Sequence, residues 1–412
     1  MFTSVIGALT SLLPKYFIFG CYVPVLIFSF INFGMVYLFS AWTRFEIEFW
    51  LGKSLALSVS VAFVATVVIA YVVSAINDFL REFLEGRYVW PSRLERLLCV
   101  GERRRRDDLG QKYTRARRQR FVLSQLHYTW EKDLRNAAMA RKLPAAGPYT
   151  LRPLEDLRAA VSHGALNGKR DPLSDSEFTM LRDVIQNAVD KLVLAMGTYS
   201  TPEDTEVEND RRELLLLIGA ISNSMKQLEF ETGADLYTRF GNDPVRPTRL
   251  GNIAAAIHAY SIGRYKMELT IFFSRLQTVL VKKEDKGYPL VLDAKAQLDF
   301  LIACCWFSAL STAIWGTLLF GFGGSREAFL IVAAAGFLLT LGFYLSAGAN
   351  YLAYGEVVRA AIDVNRFSLL NALDIKLPGS LREERSLWAA MSGLAYSGGE
   401  SVEFSYEHPA KP

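Results

Sequence analysis

Apolar residues run without interruption near residues 17–41, 54–77, 298–321 and 327–348. Each run reaches the roughly 20 helical residues that a hydrocarbon core about 30 Å thick requires. The pattern predicts four membrane-spanning helices in two hairpins. Between the hairpins, helix-period amphipathic runs recur at 174–197, 210–232 and 252–282, and no convincing run alternates with the period of a strand. The expected fold is therefore all-α: hairpin one within 1–78, a helical cytoplasmic domain over 79–297, hairpin two over 298–348, and C-terminal helices and tail over 349–412. The second span is expected to continue into NDFLREFLEGRY, and a new helix to begin at Pro91, where proline suits a first turn. LPAAGPYTLRP (143–153) and YSTPEDTEVEND (199–210) read as a break and an acidic loop. LDAKAQLDFLIACCW leads as one helix into the third span, and the fourth runs on through NYLAYGEVVRAAIDVNRFSLLNAL.

Within the second span a row of small or polar residues recurs every four positions: Ser54, Ser58, Ala62, Thr66, Ala70, Ser74 and Asp78. Such a spacing advances about 40° per step and forms an inclined ridge. The third span repeats it with Cys304, Ser308, Thr312 and Gly316, and the fourth carries Gly336, Thr340, Gly342, Ser346 and Gly348. Lipid offers helices no hydrophobic reason to associate, so small residues that let backbones approach mark contact surfaces. Two readings stand: packing inside a four-helix unit, or the hydroxyl-lined wall of a pore shared by a homo-oligomer. In the pore reading Asp78 sits at the inner mouth and favours cations, with Glu82 and Glu85 extending its ring. No span carries an ionisable residue at its centre and Asn32 is the one amide deep inside, which argues against a proton relay or ion-coupled transporter.

Charge sets the orientation. The flanks holding Lys15, Arg81, Arg87, Arg93, Lys282, Lys283, Lys286, Lys295, Arg359 and Arg366 outweigh those holding Arg44, Lys53 and Arg326. Basic flanks resist translocation, which places both termini and the large domain in the cytoplasm. The chain of 412 residues is 51% hydrophobic with a net charge of +4, and its densest charge is RLERLLCVGERRRRDDLGQKYTRARRQR (93–120). Its Arg103, Arg104, Arg105, Arg106, Arg115, Arg117 and Arg118 suit anionic membrane lipids, a nucleotide or oligonucleotide phosphate, or plain solvation of a helix face. The four histidines stand singly and the four cysteines form no metal-ligand spacing or disulfide framework. With no phosphate-binding loop or nucleophile elbow either, the expectation is a non-enzymatic protein without metal or cofactor.

The stretch RPTRLGNIAAAIHAYSIGRYKMEL (246–269), with DFLREFLEGRY (78–88), AQLDFLI before the third span, and GEVVRAAIDVNRFSLLNALDIKLPGSLREERSLWAAM, resembles a group of uncharacterised bacterial membrane proteins. Those proteins carry PTRLGN between two transmembrane hairpins. The resemblance covers most of the chain in order and implies that architecture, with no activity attached. It also implies a Trp-Pro pair where this chain has FFSRL (Phe272 to Leu276). Within the motif Pro247 fixes entry to a turn, Thr248 or Asn252 caps the following helix, Gly251 permits an unusual backbone angle, and Arg249 is available to a partner group. Bacterial nucleotide-linked anti-phage defence systems use membrane effectors of this general layout, an analogy of architecture only. The expected function is a ligand- or partner-gated pore-like effector. The alternatives are a membrane-anchored scaffold recruiting a soluble cytoplasmic protein, and a lipid-acting membrane enzyme.

Overall fold

The computed structural model describes residues 14–39, 55–88, 92–139, 155, 157–158, 171–198, 205–241, 244–282, 287–321 and 325–397. Among them every regular element is helical. Helix α1 covers residues 15–39, with a π-turn at Ile18–Tyr22. It is followed by α2 (Leu55–Leu84), α3 (Ser92–Met139), α4 (Asp175–Thr198), α5 (Thr205–Arg239) and α6 (Arg249–Tyr265). The chain continues as α7 (Leu269–Lys282), α8 (Gly287–Gly321), α9 (Arg326–Ala372) and α10 (Leu381–Ser397). Four of these are long and apolar enough to cross a membrane: Lys15–Leu38, Ser60–Leu84, Tyr288–Gly321 and Arg326–Ala372. The break at 143–153 lies outside the described residues, and the acidic segment becomes helix from Thr205 onward.

Contacts divide the chain into two units, residues 1–102 with 238–412, and residues 103–237. Residues 238–297, grouped by sequence with the 79–297 domain, thus belong with the spans and the C-terminal helices.

In the first unit α8 and α9 pack antiparallel along their length. Phe320 meets Phe329 at one end, the Cys305 thiol points at the Thr340 carbonyl at 3.6 Å, and Asn350 bonds Gln297 at 3.4 Å further down. Gly336 allows this approach, because a Cβ there would collide with the Thr312 side chain. Helices α1 and α2 are likewise antiparallel, with Phe17 against Tyr71 and Tyr22 against Phe63. Asn32 ties α1 to α8: its amide donates to Ser311 Oγ at 3.0 Å and its carbonyl accepts from Trp315 Nε1 at 2.8 Å. The lone deep amide is therefore interhelical glue, of the kind that apolar surroundings favour.

Beyond the apolar segments α8 and α9 continue unbroken, as the sequence predicts, and α6, α7 and α10 pack on them. Leu250, Ile253, Ile257, Met267, Phe272, Leu276, Ile302, Tyr351, Val358, Ile362 and Trp388 form one buried cluster. Complete burial of an aromatic such as Phe272 contributes about 1.5–3 kcal/mol. The helical run expected over 252–282 is two helices. Lys266, with φ 64, takes the left-handed conformation that ends α6, and its N–H bonds back to Ile262 and Ser261. At Phe272–Leu276, where the resemblance implies a proline bend, α7 is uninterrupted, and Phe272 packs edge-on against Trp388 at 5.2 Å.

The second unit is built from α4, most of α3 and most of α5. Tyr113 covers Gly233 and Arg120 pairs with Glu229 at 2.8 Å, so α5 runs antiparallel to α3. Gln119 bonds the Leu173 carbonyl and Trp130 bonds Gln186, each at 2.7 Å, so α4 runs parallel to it. Buried residues Ala116, Leu123, Trp130, Leu134 and Ala137 of α3 follow one another at steps of seven, seven, four and three, the spacing that keeps one helix face inward.

Gly336→Val is expected to lower the thermal midpoint of the detergent-solubilised protein, through overpacking of about 1–3 kcal/mol. Gly342→Ala, where a Cβ would meet nothing within 4 Å, should leave that midpoint unchanged; equal effects at both sites would contradict the α8–α9 contact.

Candidate functional site

Helix α2 ends by a defined mechanism. Gly86 has φ +71, the Arg87 N–H bonds the Glu82 carbonyl at 3.0 Å, and the Gly86 N–H bonds the Phe83 carbonyl at 3.0 Å. This pair of reversed bonds around a left-handed glycine closes the helix. The residue just before the glycine, Glu85, is fully buried.

Glu85 collects partners from its own helix, from the chain beyond it and from α9. The Tyr351 hydroxyl donates to Oε1 at 2.5 Å, Arg87 Nε lies 2.6 Å from Oε2, and Arg81 Nε lies 3.6 Å from Oε1. Arg81 also pairs with Asp78 at 2.8 Å and faces Asp299 of α8 at 3.9 Å, while Lys295 stands 4.0 Å from both Asp78 and Asp299. Glu82 completes the group through Arg87 and Tyr88. Four carboxylates and three cations thus form a collar where α2, α8 and α9 leave their apolar segments. Gly20, in the π-turn of α1, lets that helix close on the same place, since a Cβ there would lie 3.4 Å from Asp299 Cβ.

The PTRLGN segment seats on this collar through its backbone. Gly86 leaves room for Pro247, whose Cγ would be 2.6 Å from a Cβ on the glycine. A Cβ on Gly251 would run into the Glu85 carbonyl, so this glycine serves close approach and not an unusual backbone angle. Thr248 caps α6 by accepting the Gly251 N–H at 3.0 Å. Asn252 locks the turn: it accepts the Arg246 N–H at 2.8 Å, and its amide reaches the carbonyls of Arg246 and Thr248 and Glu102 Oε2. The Tyr344 hydroxyl of α9 meets the first backbone amides of α6, at Arg249 and Leu250. Arg249 is half-buried and lies along Gly348 of α9.

A second polar cluster joins α6, α9 and α10. The hydroxyls of Tyr260 and Tyr265 donate to Asp363 at 2.7 and 2.8 Å. Arg366 lies over the Tyr265 ring at 4.5 Å and pairs at 2.7 Å with Glu384, a buried acid that also accepts from Trp388. Arg359, almost wholly buried, lies over the Tyr260 ring and pairs with Glu356 at 2.5 Å. Burial and the hydrogen bond to Asp363 push the Tyr265 phenol up to about 12.

The structure disperses the four-residue row. Thr66 and Ala70 are buried, together with Val73 and Asn77, whereas Ala62, Ser74 and Asp78 are exposed. A helix keeps one partner by alternating steps of three and four, so a strict row of fours rotates off the contact. Ser58 lies on α2, and Ser54 lies outside the described residues. Ser308 is buried and Thr312 half-buried, and their hydroxyls bond the carbonyls of Cys304 and Ser308 in their own helix, each at 2.6 Å. Thr66 and Thr340 do the same toward Ala62 and Gly336.

Of the acids assigned to an inner mouth, Asp78 is exposed and Glu82 half-buried. Glu85 is enclosed by its partners and presents no carboxylate to a lumen within the chain. Its approach to Gly251 and Tyr351, far away in sequence, leaves no local pattern; the acid-glycine pair at a helix end signals only the cap. On α3, Arg103, Arg104, Arg105, Arg115, Arg117 and Arg118 are exposed, and Arg106 is half-buried beside Asp107 at 3.4 Å. Among the described residues no group of three or more His, Cys, Asp or Glu is arranged to hold a metal ion.

Glu85→Ala is expected to cost about 1–3 kcal/mol, since it leaves the buried Tyr351 hydroxyl without its acceptor, and Tyr351→Phe about 1–2 kcal/mol. Thermal midpoints in detergent report both, and an undisturbed Glu85→Ala protein would contradict the geometry. Because the folded protein holds the Tyr265 proton more tightly than the unfolded chain, stability is complete below pH 10 and falls as pH rises toward 12. The alkaline fall of the midpoint should be shallower in Tyr265→Phe and shallower again in Tyr260→Phe/Tyr265→Phe, because burial and the bond to the same Asp363 push the Tyr260 phenol up as well. No family model matches the chain, and neither a curated protein nor a solved structure matches it.

Proposed function

We propose that the chain is a non-enzymatic bacterial inner-membrane effector whose cytoplasmic helices respond to a ligand or partner and move its membrane helices, opening a conducting path between copies of the chain. The observation that carries this reading is the seat of the Pro247–Asn252 turn on Glu85. Through Tyr351 and Arg81 the same carboxylate contacts α9 and α2 where they leave their apolar segments. A shift of the turn would reach two spans without an intermediary. The path is assigned between copies because the hydroxyls of Thr66, Ser308, Thr312 and Thr340 are spent on their own helices. Asp78, two-thirds exposed at the collar, is the acid placed to favour cations. The excess of basic flanks on this side supports a cytoplasmic position for the collar and both termini.

The same dry packing favours a second reading, an anchored scaffold whose outer helices recruit a soluble protein. Single-channel recording in planar bilayers, on protein whose oligomeric mass is known, separates the two. Discrete cation-selective steps that shrink severalfold in Asp78→Asn are expected for the effector. A silent monomer that still captures a soluble partner would establish the scaffold instead.

A further inference from the structure

The first turns of α3 carry a surface that neither the collar nor the proposed function uses. Glu102 faces inward, held by Asn252 at 3.2 Å, and the half-buried Cys99 thiol points at the Val245 carbonyl at 3.7 Å. On the opposite side Leu97 and Val100 are exposed, Leu97 at 72%, with exposed Leu94 on the flank next to Leu97. At about 100° per residue, Arg93 falls between Leu97 and Val100 and roughly 180° from Glu102. Arg96, whose Nε bonds the Ser92 carbonyl at 3.1 Å, flanks the group, and Arg103 and Arg104 follow along the same helix. The surface stands beside the end of a span: Ser92 follows Leu84 by eight residues, and Glu102 is bonded to the turn that seats on Glu85. Between them lies Tyr88, 41% exposed and paired with Phe79 at 4.9 Å. An aromatic of this kind is typical of the depth where hydrocarbon gives way to headgroups.

We infer that this surface rests in the bilayer interface, with Leu94, Leu97 and Val100 against the upper acyl chains and Arg93 and Arg96 on the phosphates of anionic phospholipids. Exposed aliphatic side chains interleaved with arginines at that depth are the composition of a helix lying on a membrane. The charge selects an anionic lipid over a zwitterionic one. The inference needs only that α2 crosses a bilayer, so it stands or falls apart from conduction.

The test uses the full chain in nanodiscs of phosphatidylcholine and phosphatidylglycerol, with the photocrosslinking residue p-benzoylphenylalanine at position 97 or, as the control on the far side, at position 95. Mass spectrometry should find about tenfold more phospholipid adduct at 97 than at 95. Phosphatidylglycerol should be enriched in that adduct, and the enrichment should fall roughly tenfold or more in Arg93→Gln/Arg96→Gln. Crosslinking of position 97 to protein would assign the surface to a protein partner or a second copy and overturn the inference, as would equal lipid adduct at the two positions. Lipid adduct at 97 without phosphatidylglycerol enrichment would overturn the role given to the arginines.

Discussion

Burial of one carboxylate organises the first unit. An ionised side chain removed from water is costly unless cations and donors surround it, and breaking one such contact leaves the rest uncompensated. Glu85 meets this condition with groups from well-separated parts of the sequence: Arg81 and Arg87 on either side of the cap, and Tyr351 some 270 residues later. Once that acid is fixed, the end of α2 and the middle of α9 cannot separate without breaking the bond between Glu85 and Tyr351. The turn that covers the Glu85 carbonyl can then be positioned by contacts as small as a missing Cβ.

The remaining polar groups of the collar follow from this constraint. Asp78, Asp299 and Lys295 share Arg81 or each other, so the end of α8 is drawn to the same place. Deeper in the apolar segments the devices differ in kind. Hydroxyls close on their own helices, one asparagine bridges α1 to α8, and a glycine admits a threonine. These contacts hold helices together without charge, in keeping with a medium that stabilises none. The first unit therefore carries a densely paired polar layer beside a lightly bonded apolar one.

Much of this was legible in the sequence and some was not, for identifiable reasons. Apolar length gives the four long helices, and uninterrupted periodicity gives the continuation of α2, α8 and α9 beyond their apolar segments. Turn chemistry gives Thr248 as a cap. Sequence alone could not show that Gly251 serves contact, because the obstacle is a carbonyl more than 160 positions away. Nor could it show that Glu85 is buried, since an acid at the end of a span reads as an exposed one until Tyr351 is in place. The row from Ser54 to Asp78 read as a single surface because small residues at constant spacing look continuous. Helix packing follows an average step of about 3.5 residues, and only Thr66 and Ala70 fall on both patterns. The break at Lys266 was hidden because the left-handed residue is a lysine, which carries none of the usual signal of glycine or asparagine.

The claim on which the account turns is that the PTRLGN turn and the membrane helices act as one unit through Glu85. A double-mutant cycle on thermodynamic stability between Asn252→Ala in the turn and Tyr351→Phe on α9 measures it, since Glu85, bonded to Tyr351 and touched by Gly251 of the turn, lies between the two side chains. The account predicts a coupling of about 0.5–3 kcal/mol, the range for residues of one network. Effects that add to within about 0.3 kcal/mol would mean that turn and spans are independent, and would contradict it.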